Sequence, residues 1–292
     1  MSFILGVDTG GTYTDAVILE DEERVIAFSK ALTTHNDLSL GIGSAIQKAV
    51  KQRNTAPEKI SLVSLSTTLA TNALVEGQGD RVALIMIGFK DSDLEKHSIF
   101  DALKGDPFLV IEGGHNYAGS EKSPLAKNKL SRWVSKIKGV SAYAVCSQFA
   151  VRNPEHELEA AEIIRKLTDK PVSLSHQISA KLNGPKRALT AVLNARLIAL
   201  IDLLIVKAEH VIKSLGILAP LMVVRGDGAL ISAAQAREKP IETILSGPAA
   251  SIVGARWLTG EREAIISDIG GTTTDVAVLM GGKPAIDPRG AS

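Results

Sequence analysis

A chain of 292 residues that is 45% apolar is long enough to bury a sizeable core and is a soft prior for about two domains. Its 33 Lys and Arg against 32 Asp and Glu leave a net charge of +1, so no field gathers a polyanion and no nucleic-acid partner is expected. The single cysteine, Cys146 in the apolar stretch SAYAVCSQF, excludes an internal disulfide and suits a reducing, cytoplasmic setting, where it reads as a core residue.

The first residues, MSFILGVD, are too short an apolar run for a signal peptide. Strand-like runs FILGVD, AVILED and RVIAFSK come first, and a helical pattern follows from Leu38 to about Arg53. ISLVSLS then reads as a strand leading to a helix that starts at Thr68. RVALIMI and SAYAVCS are further strands, and ELEAAEIIRKL with PVSLS completes a βαβ-like unit. Between them Asp91 to Leu130 shows no clear period and reads as a loop-rich insertion. A long helical pattern runs from about Pro185 to Leu215, and APLMVVRGDGA opens a fresh strand and turn. The greasiest piece of that helix, ARLIALIDLLIV, is interrupted by Asp202 and is shorter than the ~20 residues of a spanning helix, so no membrane contact is expected. The alternation gives an α/β fold, with the domain boundary near Lys186, dividing 1–185 from 186–292.

The stretch DTGGTYTDAVIL, from Asp8 to Leu19, nearly recurs 260 positions later as DIGGTTTDVAVL, from Asp268 to Leu279. Asp8, Gly10, Gly11, Thr12, Thr14, Asp15 and Leu19 match Asp268, Gly270, Gly271, Thr272, Thr274, Asp275 and Leu279. Each copy lies between apolar runs and reads as a β-hairpin with Gly-Gly at its tip. Adjacent glycines let backbone N–H groups approach a ligand with no Cβ in the way, and a curled run of N–H groups holds an anion. An aspartate at the end of the first strand does not welcome a phosphate directly, so it implies a cation between them. Mg²⁺ fits, being held by one or two carboxylates and the phosphates of its ligand. The same residues would also make tight hairpins with the aspartates as turn acceptors. Neither copy has the spacing of a P-loop or of a dinucleotide-binding turn.

Paired hairpins of this kind resemble those of the actin-like superfold, a ribonuclease H-like α/β fold with a mixed sheet shared by acetate kinase, hexokinase and the heat-shock ATPases. STTLATNALVEGQGDRVALIMIGFKD from Ser66, NPEHELEA from Asn153 and TILSGPAASIVGA from Thr243 sharpen the resemblance to the hydantoinase A and 5-oxoprolinase family. Related members are ATP-dependent ketone carboxylases. The resemblance implies ATP and Mg²⁺ as cofactors, with phosphoryl activation of the carbonyl of a small cyclic amide such as a hydantoin or 5-oxoproline. It implies that Asp8 and Asp268 hold hydrated Mg²⁺, and that Gly10, Gly11, Thr12, Thr14, Gly270, Gly271, Thr272 and Thr274 surround the phosphates. Asp275 becomes a second acid near the reacting phosphate, and Asp8, Asp268 and Asp275 together form the catalytic set.

Thr67, Thr68, Thr71 and Asn72 in TTLATNAL stand at a helix start, where they either meet the ligand or cap the helix. Asp227 in VRGDGA and Ser246 and Gly247 in SGPAA complete the expected nucleotide contacts. The chain departs from the family pattern at Leu65 and Ser66, where many members have His-Gly. It also departs in SDLEKHSIFDALKGDP, which replaces an arginine-rich segment, and in EGGHNYAG, which replaces a Glu-Arg pair. His115 in that last stretch reads as an exposed turn residue that is either solvated or functional.

In the superfold the second domain continues well past its phosphate hairpin. Here 17 residues follow Asp275, so 1–185 is expected to be a hydantoinase/oxoprolinase N-terminal domain and 186–292 the opening part of a second, truncated domain. A truncated chain of this kind is expected to bind nucleotide weakly and to be inactive, whereas the full-length protein is expected to be a homo-oligomer, with a second, B-type subunit as partner. The competing reading, from another class, is a nucleotide-responsive regulatory or binding module of the same superfold.

Overall fold

The computed structural model describes residues 2–77, 79–269 and 274–285. It separates into two compact units, one made of Met1–Glu76 and Ile201–Ser292 and the other of Gly77–Leu200. This grouping differs from the division expected at Lys186. The reason is strand pairing, which brings segments from both ends of the sequence into one sheet.

In the first unit, β1 (Phe3–Thr9), β2 (Tyr13–Glu20) and β3 (Arg24–Leu32) form an antiparallel meander, followed by α1 (Leu38–Gln52). Asp37 caps α1, its carboxylate accepting from the Ser39 amide. β4 (Ile60–Thr67) runs parallel to β1 and places Ser66 opposite Asp8 before α2 (Leu69–Val75) begins.

The second unit then supplies β5 (Val82–Ile87), α3 (Ile99–Leu103), β6 (Phe108–Ile111), α4 (Lys127–Lys136), β7 (Ala142–Ser147), α5 (Glu155–Leu167), β8 (Val172–Leu174) and α6 (Ser175–Ile178). All four strands are parallel, in the order β6-β5-β7-β8. VALIMI and AYAVCS are buried at every position because both faces of this sheet are covered. Ile85, Ile87, Tyr143 and Val145 pack on one side with α4 and α5, while Leu84, Met86, Ala144 and Cys146 pack on the other with α3 and the next helix. The segment read as a loop-rich insertion therefore contains α3, the edge strand β6 and the start of α4. Their shortness left no window long enough to show a period.

α7 (Gly184–Ser214) belongs to the second unit as far as Leu200 and to the first from Ile201. By length and apolar content it is long enough to cross a membrane, which the reading of its twelve greasiest residues missed. Half of its most apolar window is buried, and Ala188, Ala191, Val192 and Ala195 belong to a protein core. Arg187 and Arg196 on the same helix are buried with partners, Arg187 on the carbonyls of Ser147, Lys181 and Leu182, and Arg196 on Asp106 at 2.7 Å. A core helix accounts for these contacts.

Back in the first unit, β9 (Leu221–Val224) pairs in parallel with β4, and β10 (Leu230–Ser232) closes a six-stranded mixed sheet, β10-β9-β4-β1-β2-β3. After α8 (Ala233–Glu238) comes α9 (Ser246–Thr259), then the smaller sheet of β11 (Ala264–Ile269), β12 (Thr274–Met280) and β13 (Lys283–Pro284).

Candidate functional site

The duplicated sequence builds the same hairpin twice. β1 and β2 pair Ile4 with Leu19, Asp8 with Asp15 and Thr9 with Thr14. β11 and β12 pair Ala264 with Leu279, Asp268 with Asp275 and Ile269 with Thr274, the same register displaced by 260 positions. Strand alternation then puts Asp8 and Asp15 on one face of the first hairpin and Asp268 and Asp275 on one face of the second.

A serine hydroxyl holds each leading aspartate. Ser66 Oγ donates to Asp8 Oδ1 at 2.5 Å, and Ser251 Oγ donates to Asp268 Oδ2 at 2.5 Å. Sequence reading missed both serines. The signal for Ser66 was its place in a strand parallel to β1, while Ser251 becomes visible only once α9 packs on the second hairpin.

Burial pushes the Asp8 carboxyl above its ordinary value, and the charges of Asp15 and Asp268 push it further, against the Ser66 hydrogen bond and Lys30. Asp268 is therefore close enough for its charge to be felt at Asp8. Lys30 is committed to Asp15 at 2.8 Å. A divalent cation fits such a carboxyl, because it restores the charged form that burial opposes. Among the described residues no group of three or more His, Cys, Asp or Glu side chains is arranged to hold a metal. Two carboxylates completed by water and phosphate oxygens match the habit of Mg²⁺.

The tips of the first hairpin, α2 and α9 converge here. The hairpin turn is braced by Gly10 N donating to Tyr13 O and by Thr33 donating to Thr12 O and Gly10 O. A Cβ on Gly11 would lie 3.4 Å from Asn72 Nδ2, and a Cβ on Gly247 would lie 2.9 Å from Thr68 Cγ2 and 3.9 Å from Asp8 Oδ1. Only glycine at the start of α9 lets its backbone come this near. Leu245, which precedes α9, is held at φ 61° with its amide on Thr71 Oγ1 at 3.0 Å, a left-handed conformation that a bulky residue adopts only when its surroundings impose it. The Thr68 hydroxyl is buried without a partner among the described residues, which suits a ligand contact. Thr67 does the capping, accepting from the Leu69 amide at 3.0 Å.

Several expected contacts are corrected by this geometry. Thr14 is buried on the face opposite Asp8, its hydroxyl against Thr33 Oγ1 at 3.0 Å. Thr67 is fully buried and donates to Thr9 O, and Ser246, equally buried, donates to Thr67 O at 2.8 Å. These three hydroxyls have protein partners and brace the frame. Thr274 falls on the exposed face away from Asp268, as strand alternation requires. Asp227 forms an ion pair with Arg225 and accepts from the Ala229 amide, bonds that hold its carboxyl down at about 2. Its carboxylate is committed within its own turn. Gly270, Gly271 and Thr272 lie outside the described residues.

In the second unit, His115 is fully buried, not exposed in a turn as its glycine neighbours implied. Neither ring nitrogen has a partner among the described residues, and the ring packs on His156 with centroids 4.5 Å apart. Burial pushes the His115 ring below its ordinary value, as does the neighbouring His156. Cys146 is buried and pushed up to about 12, so it is an inert core thiol.

Paired Asp-bearing hairpins around the start of one helix, within a mixed α/β fold of several sheets, define the class of protein. The hydantoinase/oxoprolinase N-terminal region model matches residues 4–168, and the hydantoinase/oxoprolinase model matches residues 187–291. The chain belongs to the hydantoinase/oxoprolinase family.

The caprolactamase subunit alpha of Pseudomonas jessenii is 28% identical over 96% of this chain and 44% of the relative. The acetophenone carboxylase gamma subunit of Aromatoleum aromaticum is 27% identical over 94% of this chain and 42% of the relative. The solved structure of the ATP-dependent caprolactamase from Pseudomonas jessenii shares the fold with a TM-score of 0.78 and 25% identity, covering 94% of this chain and 43% of that one. The chain thus spans less than half the length of these relatives.

Proposed function

We propose that this chain carries the phosphate-binding part of an ATP-dependent enzyme of the actin-like superfold, one that opens a small cyclic amide. The observation that carries the reading is the pair of hairpins in one register, each presenting a serine-held aspartate, with Asp268 felt electrostatically at Asp8.

Asp8 and Asp268 would hold Mg²⁺, with Gly10, Gly11 and Gly247 admitting phosphate oxygens close to backbone amides. Thr12, Thr68 and Asn72 stand beside them as neutral partners. When bound, Mg²⁺ neutralises charge on the phosphates. The amide carbonyl oxygen takes the γ-phosphoryl group as ADP leaves, and water then attacks the activated carbon, so that the ring C–N bond breaks and phosphate departs. Asp275, across from Asp268 in the register, would orient the attacking group.

A second reading, ATP-dependent carboxylation of a ketone, is favoured by the nearly equal identity to the acetophenone carboxylase gamma subunit. In both readings a further subunit is the natural partner, since both relatives are named as subunits, and a reducing, cytoplasmic compartment remains the proposed setting. Release of phosphate from MgATP is the test, assayed with a panel of lactams, hydantoins and ketones in the presence of the partner subunit. Stimulation by a cyclic amide, lost in Asp8→Asn, supports the hydrolase. Stimulation only by a ketone with bicarbonate overturns it in favour of the carboxylase.

A further inference from the structure

The net charge of +1 conceals a local excess of cations in the second unit. Between Glu121 and Glu155 the sequence has no acid, and six of its residues from Lys122 to Lys138 are lysine or arginine. Four of these, Lys127, Lys129, Arg132 and Lys136, line a groove of about 840 Å³ between α4 and the edge strand β6. Leu109, Leu125 and Trp133 supply an apolar floor, and no lining residue among those described carries a carboxylate.

The core beneath fixes the groove. Leu130 and Val134 turn one face of α4 inward at 0 and 1% exposed, and Leu109 and Trp133 pack half-buried on the same cluster. Lys129, Arg132, Trp133 and Lys136 then share the outer face, at the three- and four-residue spacings of neighbours on a helix. Little on the protein neutralises them. Lys127 pairs with Glu159 at 3.0 Å, and Lys129 Nζ donates to Val110 O at 3.2 Å, a bond that leaves its charge in place. The Arg132 guanidinium and the Lys136 ammonium make no hydrogen bond or ion pair among the described residues.

The spread of charge restricts the ligand. Lys127 and Lys136 stand ~14 Å apart along the helix axis, so the cations converge on no single phosphate or small carboxylate. They match a row of carboxylates on one segment. Trp133 is the one aromatic ring on the lining among the described residues, so the successive bases of a nucleic acid find no second stacking platform. The apolar face of α4 is occupied by the core and cannot enter a lipid bilayer. Acidic residues interrupted by an apolar side chain meet both rim and floor. Trp and Arg are also the residue types that carry most binding energy at protein interfaces.

We propose that the groove between β6 and α4 docks an acidic segment of a partner protein, with an apolar side chain of that segment seated on Leu109, Leu125 and Trp133. The site is independent of the phosphate hairpins and of the substrate.

The test is fluorescence anisotropy of a labelled peptide of Glu and Asp, about twelve residues long with Leu at about every fourth position, titrated with the 292-residue chain at about 50 mM salt, where screening is weak. Saturable binding at about 100 μM or tighter is expected, weakened at least about tenfold when Ser replaces Leu in the peptide and at least about threefold at about 300 mM salt. Arg132→Glu combined with Lys136→Glu, both exposed, weakens binding at least about tenfold with the melting transition retained. Lys51→Glu combined with Lys213→Glu makes the same change of net charge at exposed positions of the first unit and weakens binding less than about twofold. Absence of saturable binding, equal binding of the Ser peptide, an unaffected Arg132→Glu with Lys136→Glu, or an equal loss in Lys51→Glu with Lys213→Glu overturns the proposal. So does equal or tighter binding of single-stranded DNA or of phosphatidylserine vesicles, measured by competition on the same samples.

Discussion

The two Asp-bearing hairpins share a register yet differ in what covers them. In the first, the face opposite Asp8 carries Leu5, Val7, Ala16 and Ile18, all between 0 and 4% exposed. The side chains Ala27, Ser29 and Ala31 of β3 continue that face, and Ser29 Oγ donates to Ala45 O of α1 at 2.6 Å, which identifies α1 as the cover. In the second, the equivalent face carries Ile265 and Ile269 at 78% exposed, Val276 at 67% and Val278 at 44%. The comparison separates two properties that a repeated sequence seems to join. Pairing register and the position of the aspartate are written in the hairpin itself, whereas burial depends on the element packed against it.

The largest expected effect tests the burial half of this comparison. Leu5→Ala should cost about 2–5 kcal/mol in urea unfolding, since it opens a cavity beneath α1. Ile265→Ala, at the equivalent position, should cost less than about 1 kcal/mol, mostly from its cross-strand contact with Val278. Equal costs would break the comparison.

Next comes the aspartate. The Asp8 carboxyl is raised above its value of 3.8 in an unfolded chain, so the stability it contributes is present below that pH and is lost as pH rises through the raised value. Asp8→Asn should therefore melt higher than the parent protein at neutral pH without Mg²⁺, with the difference vanishing near pH 3, while Mg²⁺-dependent phosphate binding falls at least about tenfold. A lower melting temperature at neutral pH would contradict the burial argument.

His115 provides an internal reference in the other unit with the opposite sign. Its lowered value means that stability is present above about 6.5 and is lost as pH falls below it. His115→Phe should remove that acid-side loss and be neutral or stabilising by up to about 1 kcal/mol at pH 7, since it replaces an unpartnered buried polar ring. Smallest of all, Lys30→Met breaks an exposed pair with Asp15 and should change stability by less than about 1 kcal/mol, although it raises the Asp8 carboxyl further.

Much of the fold was legible because its signals are local. The periods of FILGVD, RVALIMI and SAYAVCS, and the long helical pattern after Pro185, lie where strands and the helix form. β6 was not legible, because four residues at a sheet edge carry no period of their own and are recognised only through pairing with β5. The joining of both ends of the chain in one sheet was illegible for a similar reason: β9 joins β4 across more than 150 residues. At the site, Asp8 and Asp268 could be found from the repeat, but the fate of each hydroxyl could not. Thr14, Thr67 and Ser246 look like phosphate ligands in sequence, and their hydroxyls are bonded to Thr33 Oγ1, Thr9 O and Thr67 O, partners that no local pattern shows. His115 shows the converse error, since glycine neighbours suggest a turn but not whether the turn is folded under.

The central claim is that two hairpins form one phosphate clamp. A double-mutant cycle on Mg²⁺-dependent ATP binding tests it most directly, with Asp8→Asn, Asp268→Asn and the pair measured by calorimetry. One clamp predicts that each single change loses at least about tenfold in affinity and that the pair loses little more than either alone. Additive losses, or a silent Asp268→Asn, would show that the hairpins act separately and would contradict the clamp.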